Sequence, residues 1–297
     1  MSLVHYTTCP VCDSHNIHLQ LTVDDHSVSG ENFAIWQCGD CNLRFTQDVP
    51  DATSIGAYYK SENYISHTNT AKGVINQLYL RVRKVTLQLK SNTIKRHTGL
   101  TSGSLLDVGA GTGAFLHHIQ QQGWEVTGIE PEADARNVAQ QLFKLSLQPS
   151  EDLKKLPQKS FDVITLWHVL EHVHALHEYM DILKSLLKPG GKLFIAVPNY
   201  QSLDATIYKS FWAAYDVPRH LYHFCPQSIQ RLVKRHGLRV LAQRPMWFDA
   251  FYISLLSSKY ENRKTNWMSA LMNGIRSNSN ALQRNQQCSS LIYIIAV

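Results

Sequence analysis

Three groups of residues have types and spacings suited to chemistry. Leu105–Phe115 reads LLDVGAGTGAF, an apolar run that enters a Gly-rich turn and then a helix-like stretch. Gly109, Gly111 and Ala114 keep G-x-G-x-x-A spacing, and Glu130 lies about 20 residues further on. Such a loop lets backbone approach a nucleotide closely, and an acid at the end of the next strand can accept from both ribose hydroxyls. The second group is Cys9-Pro-Val-Cys12 and Cys38-Gly-Asp-Cys41, two C-x-x-C knuckles with 25 residues between them. The third is FWAAYDVPRHLYHF, which brings Trp212, Tyr215, Asp216, Arg219, His220, Tyr222 and His223 within a dozen residues.

Each group admits more than one chemistry. On spacing alone, the glycine loop suits a dinucleotide or S-adenosylmethionine. Asp107, two residues before the first glycine, favours the latter, because a carboxylate there can face a cationic group such as an α-amino group. Two cysteine knuckles complete a tetrahedral four-sulfur site, so Cys9, Cys12, Cys38 and Cys41 are expected to hold a structural zinc with no open position. A redox dithiol or unrelated buried thiols are the competing readings. In the aromatic segment a histidine titrates near neutrality and can act as general base, which makes His220 and His223 catalytic candidates of equal standing. Arg219 could clamp a carboxylate or phosphate, and Tyr215 and Tyr222 could line an acceptor pocket. The competing reading is a structural lid. His168-Val-Leu-Glu171-His172 also matches the H-x-x-E-H signature of a group of zinc proteases, but its first histidine ends a buried strand instead of lying on a helix.

These residues need elements to position them. NIHLQLTVDD and FAIWQCG alternate as the two strands of a long hairpin between the knuckles. Val74–Lys90 shows one apolar stripe, Ile75, Leu78, Val82, Val85 and Leu89, with Lys72, Arg81, Arg83, Lys84 and Lys90 on its other face, read as a solvated face with a nucleic-acid footprint as the alternative. From Ser104 strand and helix alternate: SLLDVG, a helix from Ala114, EVTGIE, a helix from Ala133, FDVITLW, a helix from Leu176, KLFIAVPN, and a helix begun by Pro226. That order implies an α/β doubly wound sheet of parallel strands with its ligand at their carboxyl ends. Residues 249–287 are the least readable; the first part could extend a lid or mediate a homodimer, and RSNSNALQRNQQ reads as a loop.

Bulk properties bound the rest. The 297 residues can bury one α/β core plus an appendage. A net charge of +6 suits an anionic partner, whether a nucleotide-linked sugar, a nucleic acid or a phosphorylated surface. The amino-terminal stretch lacks a signal-peptide pattern, and no apolar run approaches the roughly 20 residues of a membrane span. Paired knuckles do not look like a secreted disulfide framework, so a cytoplasmic location is expected. Cys225 and Cys288 read as ordinary buried thiols.

In LLDVGAGTGAF, VTGIEP, FDVITLWHVLEHV and LKPGGKLFIAVPN, in that order, the chain resembles the class I S-adenosylmethionine-dependent methyltransferases. The resemblance implies a Rossmann-like seven-stranded sheet whose last strand, SSLIYIIAV, is antiparallel, with the zinc-ribbon-like module outside the common fold. The domains would be 1–50 for that module, 51–98 for a helical connector, and 99–297 for the cofactor-binding domain with an acceptor insertion at 198–225. Carried over by position, Asp107, Gly109 and Gly111, with Ala110 between them, would hold the methionine part of the cofactor, and Gly113 would close the loop. Glu130 would bind the ribose, Pro131 would flank the adenine, and Glu151 and Asp152 would reach the adenine amino group unless they are only a solvated loop. Trp167 and His168 would line the methyl-donor cleft.

Methyl transfer from a sulfonium mainly needs alignment and desolvation, and a hydroxyl acceptor gains from a base. PRHLYHF is similar to a stretch of sugar and polysaccharide-pathway methyltransferases, which implies a small-molecule acceptor such as a nucleotide-linked sugar, methylated on oxygen or carbon. RNA is the second acceptor, although WHVLEH stands where base-amino methyltransferases of this fold carry an N/D-P-P-Y-type motif. A zinc-ribbon binding protein on a non-catalytic scaffold is the rival from another class.

Overall fold

The computed structural model describes residues 2–59, 74–283 and 287–297. Near-continuous apolar runs such as FDVITLW and LFIAVP suit strands covered on both faces, and they form the centre of a six-stranded sheet. β6 (Ser104–Val108) pairs in parallel with β7 (Glu125–Ile129) on one side and with β8 (Phe161–Trp167) on the other. β9 (Leu187–Pro198) runs parallel to β8. β12 (Ser290–Ala296) lies antiparallel between β9 and β11 (Arg239–Pro245). The last strand is thus antiparallel, as expected. The seventh strand is not: beyond β7 only a single parallel bridge joins Ile129 to Gln148. Pro149 follows at once and removes the donor that would extend the ladder.

The helices cover both faces of this sheet. α2 (Ala114–Gln120), α3 (Ala133–Phe143), α4 (Leu176–Leu186) and α6 (Pro226–Arg235) lie where the alternation places them. α4 buries Leu176, Met180, Leu183 and Leu186, which share one stripe. α1 (Val74–Thr98) corrects the sequence reading. Val85 and Leu89 of the expected stripe are exposed, at 47% and 43%, whereas Ser91 and Ile94 are buried and Leu87 packs beside them. Lys90, assigned to the solvated face, lies on the packed side with its ammonium over the Trp167 ring. Aromatic surface at Phe115 and Trp167 decides which face docks. Lys72 and most of the connector before α1 lie outside the described residues, as do the side chains of Ile75 and Leu78.

The amino-terminal module is built into the same body. β2 (Ile17–Asp24), β3 (Asn32–Cys38) and β4 (Arg44–Thr46) form a sheet completed by β10 (Tyr222–His223), which comes from the 198–225 insertion. β1 (Leu3–Val4) pairs separately with β5 (Val49–Pro50). Cys9, Val11, Leu43 and Phe45 share one apolar cluster with Leu221, Phe224, Ile229 and Leu232. The insertion also contains α5 (Leu203–Tyr208), which packs on α7 (Asp249–Asn262) and α8 (Trp267–Gln283). Residues 276–283, expected as loop, continue α8: Ser277 and Ala281 bury on its inner face. Among the described residues no helix is long and apolar enough to cross a membrane.

Candidate active site

The glycine loop is held by the end of β7. Gly109 and Ala110 both donate their N–H to the Ile129 carbonyl, at 2.8 and 2.9 Å. Gly109 has φ +72°, and a Cβ there would stand 2.4 Å from Val169 Cγ2. Gly111 has φ +55°, and a Cβ there would meet nothing within 4 Å, so this glycine faces an open cradle. Gly113, with φ +76°, packs tightly on Ala139 and Leu145 as α2 begins. Glu130 is buried at the carboxyl end of β7; one oxygen accepts from Gly111 N at 2.7 Å and the other from Glu132 N at 3.0 Å. Burial pushes its carboxyl up, partly offset by these two amides.

Asp107 is fully buried on β6 and accepts from Thr165 Oγ1 at 2.6 Å. Burial pushes its pKa up to about 7, with Thr165 and then Lys90 opposing. The Lys90 ammonium lies 4.3 Å from the Trp167 ring centroid and 5.8 Å from that of Phe115. Burial lowers its pKa while Asp107 and Asp249 pull the other way. A cation therefore already sits against aromatic faces within the field of Asp107 and Asp249. A cradle open at Gly111 and an anionic, aromatic pocket fit the amino group and sulfonium of S-adenosylmethionine. When bound, that molecule supplies an activated methyl group. Pro131 is exposed beside Glu130, and Glu151 and Asp152 lie in the 3-10 turn Ser150–Lys155, with Asp152 paired to Lys155 at 2.6 Å.

At the end of β8 the chain bends sharply. His168 takes φ +60°, and the motif continues as a 3-10 turn, Leu170–His172. No helix carries His168 and His172 on one face, so the protease geometry is absent. His168 Nε2 lies 2.8 Å from Asp249 Oδ2 and Nδ1 lies 3.3 Å from Glu171 Oε1. Burial opposes charge on this ring, yet Asp249 and then Glu171 lift its pKa to about 10. His172 is the opposite case: burial and then His220 lower its pKa to about 4. Its Nδ1 bonds the Arg219 carbonyl at 3.0 Å and Tyr59 Oη at 2.9 Å. His220 Nδ1 bonds the Ala214 carbonyl at 2.8 Å. The two rings meet edge to face at 4.6 Å.

The other insertion residues point toward the amino-terminal strands. His223 is buried with Nε2 3.1 Å from Thr46 Oγ1, and burial pushes its pKa well down. Tyr215 Oη accepts from Arg44 at 2.8 Å, and Tyr222 Oη lies 3.3 Å from both Tyr6 Oη and the His174 carbonyl. Arg219 is 4% exposed, and its donors reach both Asp216 oxygens, Asp25, Ser27 and the Tyr58 carbonyl. An acceptor clamp would need those donors free, so the structure corrects that expectation: Arg219 ties the insertion to the β2–β3 hairpin.

The four thiols converge at the other end of the module. Cys9 and Cys41 Sγ are 3.5 Å apart, Cys12 and Cys38 Sγ 3.6 Å, and all four lie within 4.8 Å of one another. Four thiolates at about 2.3 Å from one ion would stand about 3.8 Å apart. Lys90, Asp249 and Glu171 were not singled out as site residues from sequence. Glu171 was visible inside the motif, whereas Lys90 was hidden in a basic helix and Asp249 in the unreadable segment.

Comparison with known proteins agrees with this geometry. Residues 81–243, more than half the chain, match a methyltransferase-domain family model. The ubiquinone biosynthesis O-methyltransferase of Azoarcus sp. (strain BH72) is 27% identical over 175 residues, covering 54% of this chain and 75% of that protein. The protein of the same name from Coxiella burnetii (strain Dugway 5J108-111) is 30% identical over 162 residues, covering 50% and 68%. The chain spans 54% of the rat mitochondrial protein of that name. In fold it resembles magnesium protoporphyrin IX methyltransferase from Synechocystis PCC 6803 with bound SAH, at TM-score 0.52 and 15% identity, covering 82% of this chain and 99% of that one. A glycine loop closed by Glu130, an anionic cradle above β6 and a sheet with its last strand reversed thus coincide with the family match, and the chain belongs to the class I S-adenosylmethionine-dependent methyltransferases.

Proposed function

We propose that this enzyme methylates a hydroxyl of a small-molecule acceptor seated between the cofactor loop and the 198–225 insertion. The observation that carries the reading is the juxtaposition of Glu171, His172 and His220 just beyond Trp167, at the carboxyl end of β8. His220 commits Nδ1 to a backbone carbonyl, which can only accept, so its unprotonated ring carries the lone pair on Nε2. A hydroxyl placed there can lose its proton to the cluster as its oxygen bonds the methyl carbon. The electron pair of the broken bond stays on sulfur, which becomes a neutral thioether. Of the two candidate histidines, His220 belongs to this cluster, whereas His223 supports it from the far side through Thr46. Asp107, Gly109, Ala110, Gly111, Gly113, Glu130 and Pro131 would hold the cofactor, with Glu151 and Asp152 at the adenine, and Trp167 and His168 beside the methyl group.

The relatives from Azoarcus and Coxiella burnetii are O-methyltransferases, which supports oxygen as the methylated atom. The PRHLYHF stretch supports a nucleotide-linked sugar as the first acceptor class to screen. Cys9, Cys12, Cys38 and Cys41 would hold a structural zinc that fixes the hairpin under the insertion. Transfer of a labelled methyl group to nucleotide sugars and to phenolic hydroxyl compounds, each with wild type and His220→Asn, tests the assignment. Product in the wild type with about 100-fold less in the variant is expected. Equal rates in the two proteins would remove the cluster from the chemistry.

A further inference from the structure

Glu171 holds a feature that methyl transfer alone does not explain. Its side chain is fully buried, yet Oε2 has no hydrogen-bond partner among the described residues. A buried carboxylate oxygen left bare costs on the order of 1–3 kcal/mol or more. The groups around it are arranged as donors of lone pairs. One ligand atom from each of Glu171, His172 and His220 lies within 4.8 Å of the other two. The Ala214 carbonyl accepts from His220 Nδ1, and His172 Nδ1 is engaged by the Arg219 carbonyl and Tyr59 Oη, the outer-sphere arrangement that orients metal-binding histidines through their other ring nitrogen.

We propose that Glu171, His172 and His220 form a binding site for a divalent transition-metal ion, separate from the four-cysteine site. Two imidazoles and one carboxylate suit zinc, manganese, cobalt or ferrous ions. Three protein ligands leave a tetrahedral ion one further position. The ligand atoms must close from at most 4.8 Å to about 3.4 Å, the separation around a tetrahedral ion with bonds of about 2.1 Å. That is a movement that side-chain rotation can supply. The surrounding charges favour a cation. Asp216 Oδ2 stands 3.9 Å from His220 Nε2, and Asp249 neutralises the His168 ring on the other flank of Glu171. Arg219 is engaged by Asp216 and Asp25. This site differs from the H-x-x-E-H geometry, because His220 from the insertion takes the place of His168.

Its catalytic role rests on the hydroxyl-acceptor reading: with the ion bound, His172 and His220 would be ligands and no longer proton acceptors, and the ion would lower the pKa of the acceptor hydroxyl so that its proton passes to water. Binding does not depend on that reading. The full chain, loaded with one equivalent of zinc to fill the four-cysteine site and leave the second site empty, is titrated with manganese(II), followed by calorimetry and electron paramagnetic resonance, because this hard ion avoids thiolate sites. One equivalent per chain is expected, weakened at least tenfold in Glu171→Gln and in His220→Ala. S-adenosylhomocysteine affinity in both variants serves as the folding check. Cobalt(II) should give visible bands from this site without thiolate charge transfer. No manganese equivalent in the wild type, or the same affinity in both variants, overturns the site. Methyl transfer by the metal-stripped chain is measured separately, so failure of the acceptor reading stays distinguishable from failure of the metal site.

Discussion

The cofactor half and the acceptor half of this molecule are built by different means. Around the glycine loop the key contacts are local: Glu130 reaches Gly111 and Glu132, and Asp107 meets its partner on the adjacent strand. Around the insertion the contacts join distant parts of the chain. Arg219 grips Asp25, Tyr222 meets Tyr6, and β10 completes a sheet begun before residue 40. One half is a motif that can be recognised on any chain with this fold. The other exists only when the amino-terminal module and the insertion fold together.

The sharpest way to break this contrast is Arg219→Ala. It leaves Asp25 buried without its ion-pair partner, held by the Ser27, Val28 and Ser29 amides and the Ser27 and Ser29 hydroxyls, so stability should drop by about 3 kcal/mol in denaturant titration. S-adenosylhomocysteine affinity of the folded fraction should hardly change. Gly109→Ala is the reciprocal experiment. A Cβ 2.4 Å from Val169 at positive φ should weaken cofactor binding about 100-fold, roughly 2.8 kcal/mol, while the acceptor half stays folded by near-UV circular dichroism.

The same division predicts where pH acts. Asp107 is raised to about 7, so it must lose a proton to face the cofactor's amino group. Cofactor affinity should therefore hold above pH 7 and fall below it, by up to tenfold per unit, with a flat profile in Asp107→Asn. On the other side, the His168 ring is raised to about 10 by its carboxylates after opposing burial. A raised histidine contributes stability that is complete below its unfolded value near 6.5 and lost as pH rises through about 10. Chemical denaturation of wild type and His168→Gln should converge toward pH 10. The smallest effect is expected from Lys90→Met, which removes the cation resting on Trp167. Cofactor should bind about threefold tighter, roughly 0.6 kcal/mol, by calorimetry.

Legibility in the sequence follows the same line. Parallel strands declare themselves as apolar runs, and the loop declares itself through Gly109, Gly111, Asp107 and Glu130, because those roles need close residues of fixed type. The four cysteines were legible for the same reason: two pairs at short spacing. The role of Arg219 was not, since a guanidinium is equally suited to a substrate carboxylate and to Asp25 some 190 residues away. α1 was misread because Val85 and Leu89, though apolar, stand off the packed side; Trp167 and Phe115 draw the Lys90 side of the helix inward. The outer strand of the sheet failed at Pro149 for want of one N–H. His220 and His223 looked alike in sequence and were separated only by the fold, which turns one toward Glu171 and the other toward Thr46.

The most direct test is calorimetry of S-adenosylhomocysteine with the zinc-loaded chain, alongside Asp107→Ala and Glu130→Ala. Micromolar binding at one site per chain, lost in both variants, is the result expected of a cofactor site made by Asp107, the glycine loop and Glu130. Absence of binding in the wild type, or binding that survives both substitutions, would contradict it.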